Sequence, residues 1–239
     1  MKLKYVNVIV AGLMLAAVVT GCGNKDAAKD SSTNISAGVS KDKDTGNENN
    51  VDTINTKNAS GKVLVAYFTA AENSDVDVVS SASVTDIDGE KKGRMTAIAE
   101  MIQEKTGGDL FSIKTSVEYP GDGGKLIDYA QDEQDNNARP ELISHIDDFE
   151  NYDVVFVGYP TWWYDLPQVM YSFFDEYDFS GKTIVPFNSH NGSRFSGTIQ
   201  TIEELEPDAE VLEDGFTVSE SDIPDAKGDI NDWLEGLDY

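Results

Sequence analysis

The sequence is poor in cysteine, histidine and basic residues, and each shortage excludes a class of protein or site. Cys22 is the only cysteine among 239 residues, so no disulfide can form within the chain. His145 and His190 are the only histidines and lie at no metal-ligand spacing, so we expect no metal site. Lysine and arginine total 18 against 44 aspartates and glutamates, and the net charge of −26 argues against binding to nucleic acid.

Two common enzyme motifs are also missing. No Gly-x-Ser-x-Gly sequence follows a predicted strand, which argues against a serine hydrolase in spite of Ser189, His190 and Ser193. No Gly-x-Gly-x-x-Gly sequence follows the first predicted strand, which argues against a nicotinamide-nucleotide site there. We therefore predict no catalytic residue, and we expect electrons to come from a protein or a soluble donor.

The N-terminus has the features of an export signal. Lys2 and Lys4 precede an apolar run over residues 6–19, which is too short to span a bilayer comfortably. The run closes on Val-Thr-Gly before Cys22, a sequence that resembles the lipobox of bacterial lipoproteins. That resemblance implies cleavage after residue 21 and attachment of lipid (palmitate) to Cys22, on the extracytoplasmic side of the cell membrane. The alternative is a buried or incidental thiol.

Residues 22–60 differ in composition from the rest of the chain. After Cys22 they are mainly Lys, Asp, Ser, Asn, Thr and Gly, with few large apolar side chains to offset the entropy of ordering. We predict that residues 1–21 are a lipoprotein signal peptide, that residues 22–60 form a disordered tether carrying the lipid, and that residues 61–239 fold as one domain.

Residues 61–239 alternate between strand-like and helix-like segments. Short apolar runs predict buried strands at 62–68, 110–113, 153–158, 182–187 and 211–218. Helical spacing of apolar residues predicts helices at 94–105, 166–174, 198–205 and 223–237. This alternation predicts an α/β fold, a doubly wound sandwich of three layers in which helices cover both faces of a parallel sheet.

Two polar segments interrupt this alternation. Residues 73–93 form an insertion after the first strand, and the Asp88-Gly89 pair within it favours a tight hairpin. Residues 119–140 contain a glycine-rich start and a predicted short helix at 126–136. For this second segment, a surface excursion and an active role are both open.

Three loops of the predicted fold lie where a ligand would bind. Doubly wound sheets bind ligands beyond the carboxyl ends of their strands, at the point where the strand order reverses. The loops there are residues 69–73, 159–164 and 188–194. The second holds Trp162, Trp163 and Tyr164 at a position where packing alone favours Gly, Ser or Asp. It is an open alternative that one of these three rings packs in the core. We do not expect all three rings to pack there.

These loops make the chain similar to the flavodoxin family. The similarity covers about Lys62 to Leu237 and rests on the Tyr-Phe-Thr ending of the first strand and on the Trp-Trp-Tyr loop. It implies a flavodoxin-like sandwich with a five-stranded parallel sheet of order 2-1-3-4-5 and FMN as the cofactor. A flavin is a flat ring that requires aromatic faces and polar groups at its edge. The flavin-ring ligands implied are Pro160, Thr161, Trp162, Trp163, Tyr164, His190, Asn191, Gly192 and Ser193.

The first loop departs from the family pattern at the FMN phosphate. The family binds this group with a hydroxyl-rich turn at a helix N-terminus. Thr69 matches the first hydroxyl, but Ala71 and Glu72 replace the Thr and Gly that follow, and an anion beside a phosphate is unfavourable. An alternative alignment brings the start of the first helix to the phosphate. The predicted phosphate-end ligands are then Thr69, Asn73, Arg94, Met95 and Thr96.

Arg94 has two interpretations in that alignment. It is either a bidentate ligand of the phosphate or a solvated residue at a helix start. With FMN bound, the resemblance implies an electron-transfer lipoprotein whose partner is a redox protein with a basic docking face, or a small electron acceptor. A reductase of a small quinone-like or nitro substrate is a close variant. The rival class is a flavodoxin-like binding module that has lost flavin and holds another ligand or protein.

Overall fold

The computed structural model of the chain describes residues 61–74 and 83–237. The signal peptide, the Cys22 lipid site and the tether are predicted for residues 1–60, which lie outside this part. The strands are β1 Val63–Tyr67, β2 Val84–Ile87, β3 Glu90–Gly93, β4 Asp109–Ser112, β5 Val154–Pro160, β6 Thr183–His190, β7 Glu210–Val211 and β8 Phe216–Ser219. The helices are α1 Arg94–Thr106, α2 Gly123–Asp135, α3 Gln168–Glu176, α4 Thr198–Leu205 and α5 Lys227–Gly236.

The central sheet is parallel and has the predicted order. β1 lies between β4 and β5, β5 pairs with β6, and β6 pairs with both β7 and β8. The order β4-β1-β5-β6 followed by β7 and β8 is the predicted order 2-1-3-4-5. The strand order therefore reverses between β1 and β5, the strands whose carboxyl ends the sequence assigns to the ligand.

Two apolar layers cover the two faces of this sheet. Alternate residues of β1 belong to different layers, with Val63 and Val65 in one and Leu64 and Ala66 in the other. The first layer contains α1 and α5, and the second contains α3 and side chains of α2. Because both faces are covered, every β1 residue is buried, which explains why the strand reads as a continuous apolar run.

The fifth predicted strand is two short strands rather than one. β7 ends where Val211 pairs with Ile184, and β8 begins where Phe216 pairs with Phe187. The gap lies beside Pro186 of β6, which has no N–H to donate to a strand on this side. The carbonyl of Pro186 would lie only 2.5 Å from a Cβ at Gly215, so the chain passes close to β6 there without pairing.

The two interrupting segments are ordered where the structure describes them. β2 and β3 form the predicted hairpin, and Asp88 and Gly89 at its tip have φ of 55° and 88°. α2 begins three residues before the predicted start because Asp122 accepts a hydrogen bond from the backbone of Lys125 and caps it. α5 begins at Lys227 rather than at residue 223, after a 3-10 turn. No helix in the described ranges is long and apolar enough to cross a bilayer.

Candidate functional site

A cleft of about 510 Å³ opens at the carboxyl ends of the parallel strands. Its volume lies within the range of about 300–1,000 Å³ that is usual for small-molecule and cofactor sites. It is lined by Thr69, Ala70, Ser83, Arg94, Met95, Gly123, Leu126, Ile127, Ala130, Pro160, Thr161, Trp162, Trp163, Tyr164, Ser189, His190, Asn191, Ser193 and Glu220. The lining contains eleven of the fourteen predicted ligands and leaves out Asn73, Thr96 and Gly192.

A tight turn of two aromatic residues forms one side of the cleft mouth. The backbones of Trp162 and Asp165 exchange hydrogen bonds of 3.0 and 2.9 Å, which places Trp163 and Tyr164 at the tip. Both tip residues have positive φ, 48° and 66°, a conformation that turns of this kind normally give to Asn and Gly. Trp163 is 43% exposed and Tyr164 71% exposed. Two bulky residues are thus held in an unfavourable backbone conformation without the benefit of burial.

Trp162 has a different environment from its two neighbours. Its ring makes edge-to-face contacts with Phe68 and Tyr119, each at a centroid distance of 5.6 Å. Tyr119 in turn contacts Tyr129 of α2 at 5.6 Å. Trp162 therefore packs against the core and reaches the cleft as part of its floor. This is the open alternative in which one of the three rings is structural.

Helix α2 forms an apolar wall beside the aromatic turn. Gly123, Leu126, Ile127 and Ala130 face the cleft, and the indole N–H of Trp163 donates to the backbone oxygen of Ile127 at 3.0 Å. Residues 119–140 therefore contribute part of the cleft wall. The predicted ligands include none of these four residues. The spacing of Leu126 and Ala130, four residues apart, is the signal that α2 packs one face inward.

A buried carboxylate lies behind this wall. Glu133 is on α2, 7% exposed, and the phenol of Tyr119 donates to it at 3.3 Å. Burial, which disfavours the charged form, raises the pKa of Glu133 to about 7. The carboxylic acid behind the apolar wall of α2 therefore changes its charge near neutral pH.

The loop after β1 does not present the anion that the sequence suggests. The carboxylate of Glu72 accepts hydrogen bonds from the hydroxyls of Tyr67 at 3.1 Å, Thr96 at 2.5 Å and Ser112. Glu72 is not among the residues that line the cleft. Burial, followed by the nearby charge of Glu72, raises the pKa of Tyr67 to about 12.

Two of the predicted phosphate-end residues support the loop instead of lining the cleft. Thr96 donates its hydroxyl hydrogen to Glu72. Asn73 is buried and bridges two segments, donating to the backbone oxygens of Thr69 and Ile113 and accepting from the N–H of Thr115 at 2.9 Å. These bonds fix the loop after β1 to the segment that follows β4. Sequence spacing alone does not distinguish a residue that supports this loop from a residue that binds a ligand.

Arg94 and Met95 reach the cleft from the first turn of α1. The guanidinium of Arg94 is paired with Glu220, which follows β8, at 2.6 Å between Nη1 and Oε2. The Arg94 side chain is only 14% exposed, so the solvated alternative is wrong. Burial lowers the pKa of Arg94, and the charge of Glu220 opposes that shift. The predicted ligands do not include Glu220, because nothing near it in sequence marks it as a partner of residue 94.

The loop after β6 supplies the remaining polar groups. The N–H of Gly192, whose φ is 93°, donates to Nδ1 of His190 at 2.9 Å. Gly192 therefore positions the His190 imidazole and does not itself line the cleft. Burial, with the charge of Arg194, lowers the pKa of His190. No group of three or more potential metal ligands occurs among residues 61–74 and 83–237.

The fold and the cleft define a doubly wound α/β protein with an open cleft at its topological switch point. Residues 62–237 match the sequence profile of the family described as Flavodoxin, which is well over half of the chain. The chain belongs to the flavodoxin family. No curated protein gives a significant sequence match.

Solved structures resemble the chain over the same part. A candidate flavoprotein from Bacteroides eggerthii is 27% identical, with coverage of 71% of this chain and 97% of that chain and a TM-score of 0.53. A second from Bacteroides uniformis is 21% identical, with coverage of 73% and 98% and a TM-score of 0.55. A flavoprotein from Lactobacillus acidophilus in complex with FMN is 19% identical, with coverage of 70% and 98% and a TM-score of 0.50.

Proposed function

We propose that this protein binds FMN in the cleft and carries electrons. The observation that carries the proposal is the turn at Trp163 and Tyr164, where two exposed aromatic residues occupy positive φ at the cleft mouth. Strain of this kind persists where surrounding structure enforces it, and it is concentrated at binding sites. Stacking on a flat aromatic ring gives these two side chains the contacts that the protein itself does not supply.

The other cleft residues fit the remaining parts of FMN. Leu126, Ile127 and Ala130 provide an apolar surface for the ring. His190, Asn191 and Ser193 provide polar groups for its edge, and Arg94 with Thr69 provides a cation and a hydroxyl for the phosphate. The Lactobacillus acidophilus relative, which has the same fold, is a complex with FMN, and this supports the assignment.

FMN, when bound, supplies reversible uptake of one or two electrons. The protein contributes binding, orientation and electrostatics. The apolar wall of α2 would give one side of the ring apolar contacts. The net charge of −26 disfavours added negative charge in the cleft, so we expect a low reduction potential. The same field favours a basic partner protein, and docking should weaken as salt is raised.

The flavin-free binding module is the rival function. Its strongest support in the sequence is Glu72 beside the phosphate, and that carboxylate is held by three hydroxyls outside the cleft lining. An absorbance spectrum of the purified full-length chain tests both functions. We expect flavin bands near neutral pH, or their appearance on titration with FMN. A colourless protein that does not take up micromolar FMN would contradict the FMN proposal and favour the rival.

We further propose that the protein is held by lipid at Cys22 on the outer surface of the cytoplasmic membrane. The support is the sequence Val-Thr-Gly-Cys after a short apolar run. Replacing Cys22 with Ala should move the protein from the membrane fraction to the soluble fraction. Thr20→Ser keeps the cysteine and is the matched control, so it should stay in the membrane fraction. Continued membrane association of Cys22→Ala would contradict the proposal.

A further inference from the structure

The cleft lining contains one basic and one acidic residue, and they are bonded to each other. Among the described residues that line the cleft, Arg94 is the only Lys or Arg and Glu220 is the only Asp or Glu. Their side chains meet at 2.6 Å although the two residues are 126 positions apart in the sequence. Burial lowers the pKa of His190 and so disfavours its charged form. In the described part of the lining, the charges of Arg94 and Glu220 therefore offset each other.

Both members of this ion pair have a fixed backbone. The N–H of Arg94 donates to the oxygen of Ser83 at 2.9 Å, where the β2–β3 hairpin returns to α1. The N–H of Glu220 donates to the oxygen of His190 at 2.9 Å, which attaches the end of β8 to the end of β6. The Glu220 side chain is 34% exposed, more than twice the 14% of Arg94. The carboxylate therefore lies on the more open side of the pair.

We propose that Glu220 competes with the phosphate of FMN for Arg94, and that it thereby limits how strongly the site prefers FMN to riboflavin. The inference rests on the proposed FMN function. FMN and riboflavin share the ring and the ribityl chain and differ by the phosphate, so charges near Arg94 act on FMN alone. Glu220 reduces the attraction of Arg94 for a phosphate and repels that phosphate directly.

The sign of this effect distinguishes competition from support. If Glu220 only positioned Arg94, removing its charge would weaken FMN binding. If Glu220 competes, removing its charge strengthens the attraction of the Arg94 guanidinium for a phosphate, and FMN binding becomes tighter. In a chain of net charge −26, little other positive charge is present to offset Glu220. Competition is therefore the stronger effect.

The test compares the dissociation constants of FMN and riboflavin in the full-length chain by flavin fluorescence. Glu220→Gln keeps the shape of the side chain and a hydrogen-bond acceptor for Arg94. Glu104→Gln is the matched control, because it removes the same charge from a carboxylate that pairs with Lys227 at 2.8 Å. Glu104 lies about 15 Å along α1 from Arg94 at 1.5 Å per residue.

We expect Glu220→Gln to bind FMN about three- to tenfold more tightly, with riboflavin affinity unchanged. Glu104→Gln should alter neither constant. Glu220→Ala, which removes the charge without leaving an amide, should shift FMN affinity in the same direction. Unchanged or weaker FMN binding by both Glu220 variants, or an equal shift for riboflavin, would overturn the inference while leaving FMN binding intact. A wild-type chain that binds neither flavin would overturn the proposed function as well.

Discussion

The two sides of the cleft are built on different principles. The side formed by α2 and the Trp163–Tyr164 turn is apolar, strained at two positions and backed by the buried Glu133. The side formed by α1 and the end of β8 is polar and held by the ion pair of Arg94 with Glu220. The first side suits a flat ring, and the second suits an anion. One ligand that spans both must carry a ring at one end and a negative group at the other.

Because of this difference, the contribution of the ring to ligand binding can be measured separately from the contribution of the phosphate charge. We call the side formed by α2 and the Trp163–Tyr164 turn the aromatic side, and the side formed by α1 and the end of β8 the polar side. Changes to the aromatic side should affect every ligand that carries the ring, whether or not it has a phosphate. Changes to the polar side should affect only phosphate-bearing ligands. Variants on each side can therefore be compared in order, from the largest expected free-energy change to the smallest.

The largest effect is expected at Glu133, behind the aromatic side. Its pKa of about 7 in the folded chain exceeds the usual 4.5, so the folded state binds the proton more tightly than the unfolded state. The contribution of protonated Glu133 to the free energy of unfolding is fully present below about pH 4.5. It is lost as pH rises through 7. Glu133→Gln should therefore raise the free energy of unfolding at pH 8 by about 3 kcal/mol and change little at pH 4.5. Urea unfolding at both pH values measures this.

Glu206 provides the matched control for that prediction. Burial raises its pKa to about 7 as well, with contributions from Asp178 and Asp175. Glu206→Gln should likewise reduce the loss of stability at high pH, and neither substitution removes a side chain that lines the cleft. If Glu133→Gln unfolds with the same pH dependence as the wild type, burial does not raise the pKa of Glu133. That result would contradict the prediction.

Replacing Arg94 should give the next largest effect, and only for phosphate-bearing ligands. Arg94→Ala removes the one basic side chain that lines the cleft in the described part of the chain. A charged hydrogen bond contributes about 1.5–3 kcal/mol, so FMN affinity should fall about 10- to 100-fold. Riboflavin affinity should be retained. An equal loss for both flavins, measured by fluorescence titration, would mean that the two sides are not separate.

Replacing Trp163 tests the aromatic side in the same assay. Trp163→Ala removes a stacking surface and the indole hydrogen bond to Ile127. We expect FMN and riboflavin to lose affinity by the same factor, about tenfold. Trp233→Ala is not a suitable control because Trp233 packs against Phe156 and Phe216 in the core. Ile143→Ala, at an exposed apolar residue outside the cleft lining, should leave both affinities unchanged.

The smallest effect is a gain in stability at the same turn. Asn and Gly favour the positive φ that Trp163 and Tyr164 adopt, so Trp163→Asn with Tyr164→Gly should relieve backbone strain. A net gain of about 1 kcal/mol corresponds to a rise in Tm of about 2–4 °C for a domain of this size. Flavin affinity should fall in the same variant. A lower Tm in thermal unfolding would show that the aromatic side chains stabilise the turn more than its backbone opposes it.

Regular elements of the fold were predictable, and so were most residues around the cleft. Val63 to Tyr67 reads as a buried strand because both of its faces are covered, and the aromatic loop after β5 is visible as an excess of Trp and Tyr. Asn73 and Thr96 were predicted as ligands because they occupy the right loop and helix start. Which way a side chain points depends on partners such as Glu72 and Thr115, which no local pattern identifies.

The sequence by itself determined the parallel sheet, its strand order and the position of the site, because apolar periodicity and the resemblance of the three loops are local signals. Only the tertiary structure decided that Glu72 faces three hydroxyls, that α2 forms a wall of the cleft and that Arg94 pairs with Glu220. Most of these contacts join residues 24 to 126 positions apart. Burial and pairing at such separations arise only when the whole chain is folded.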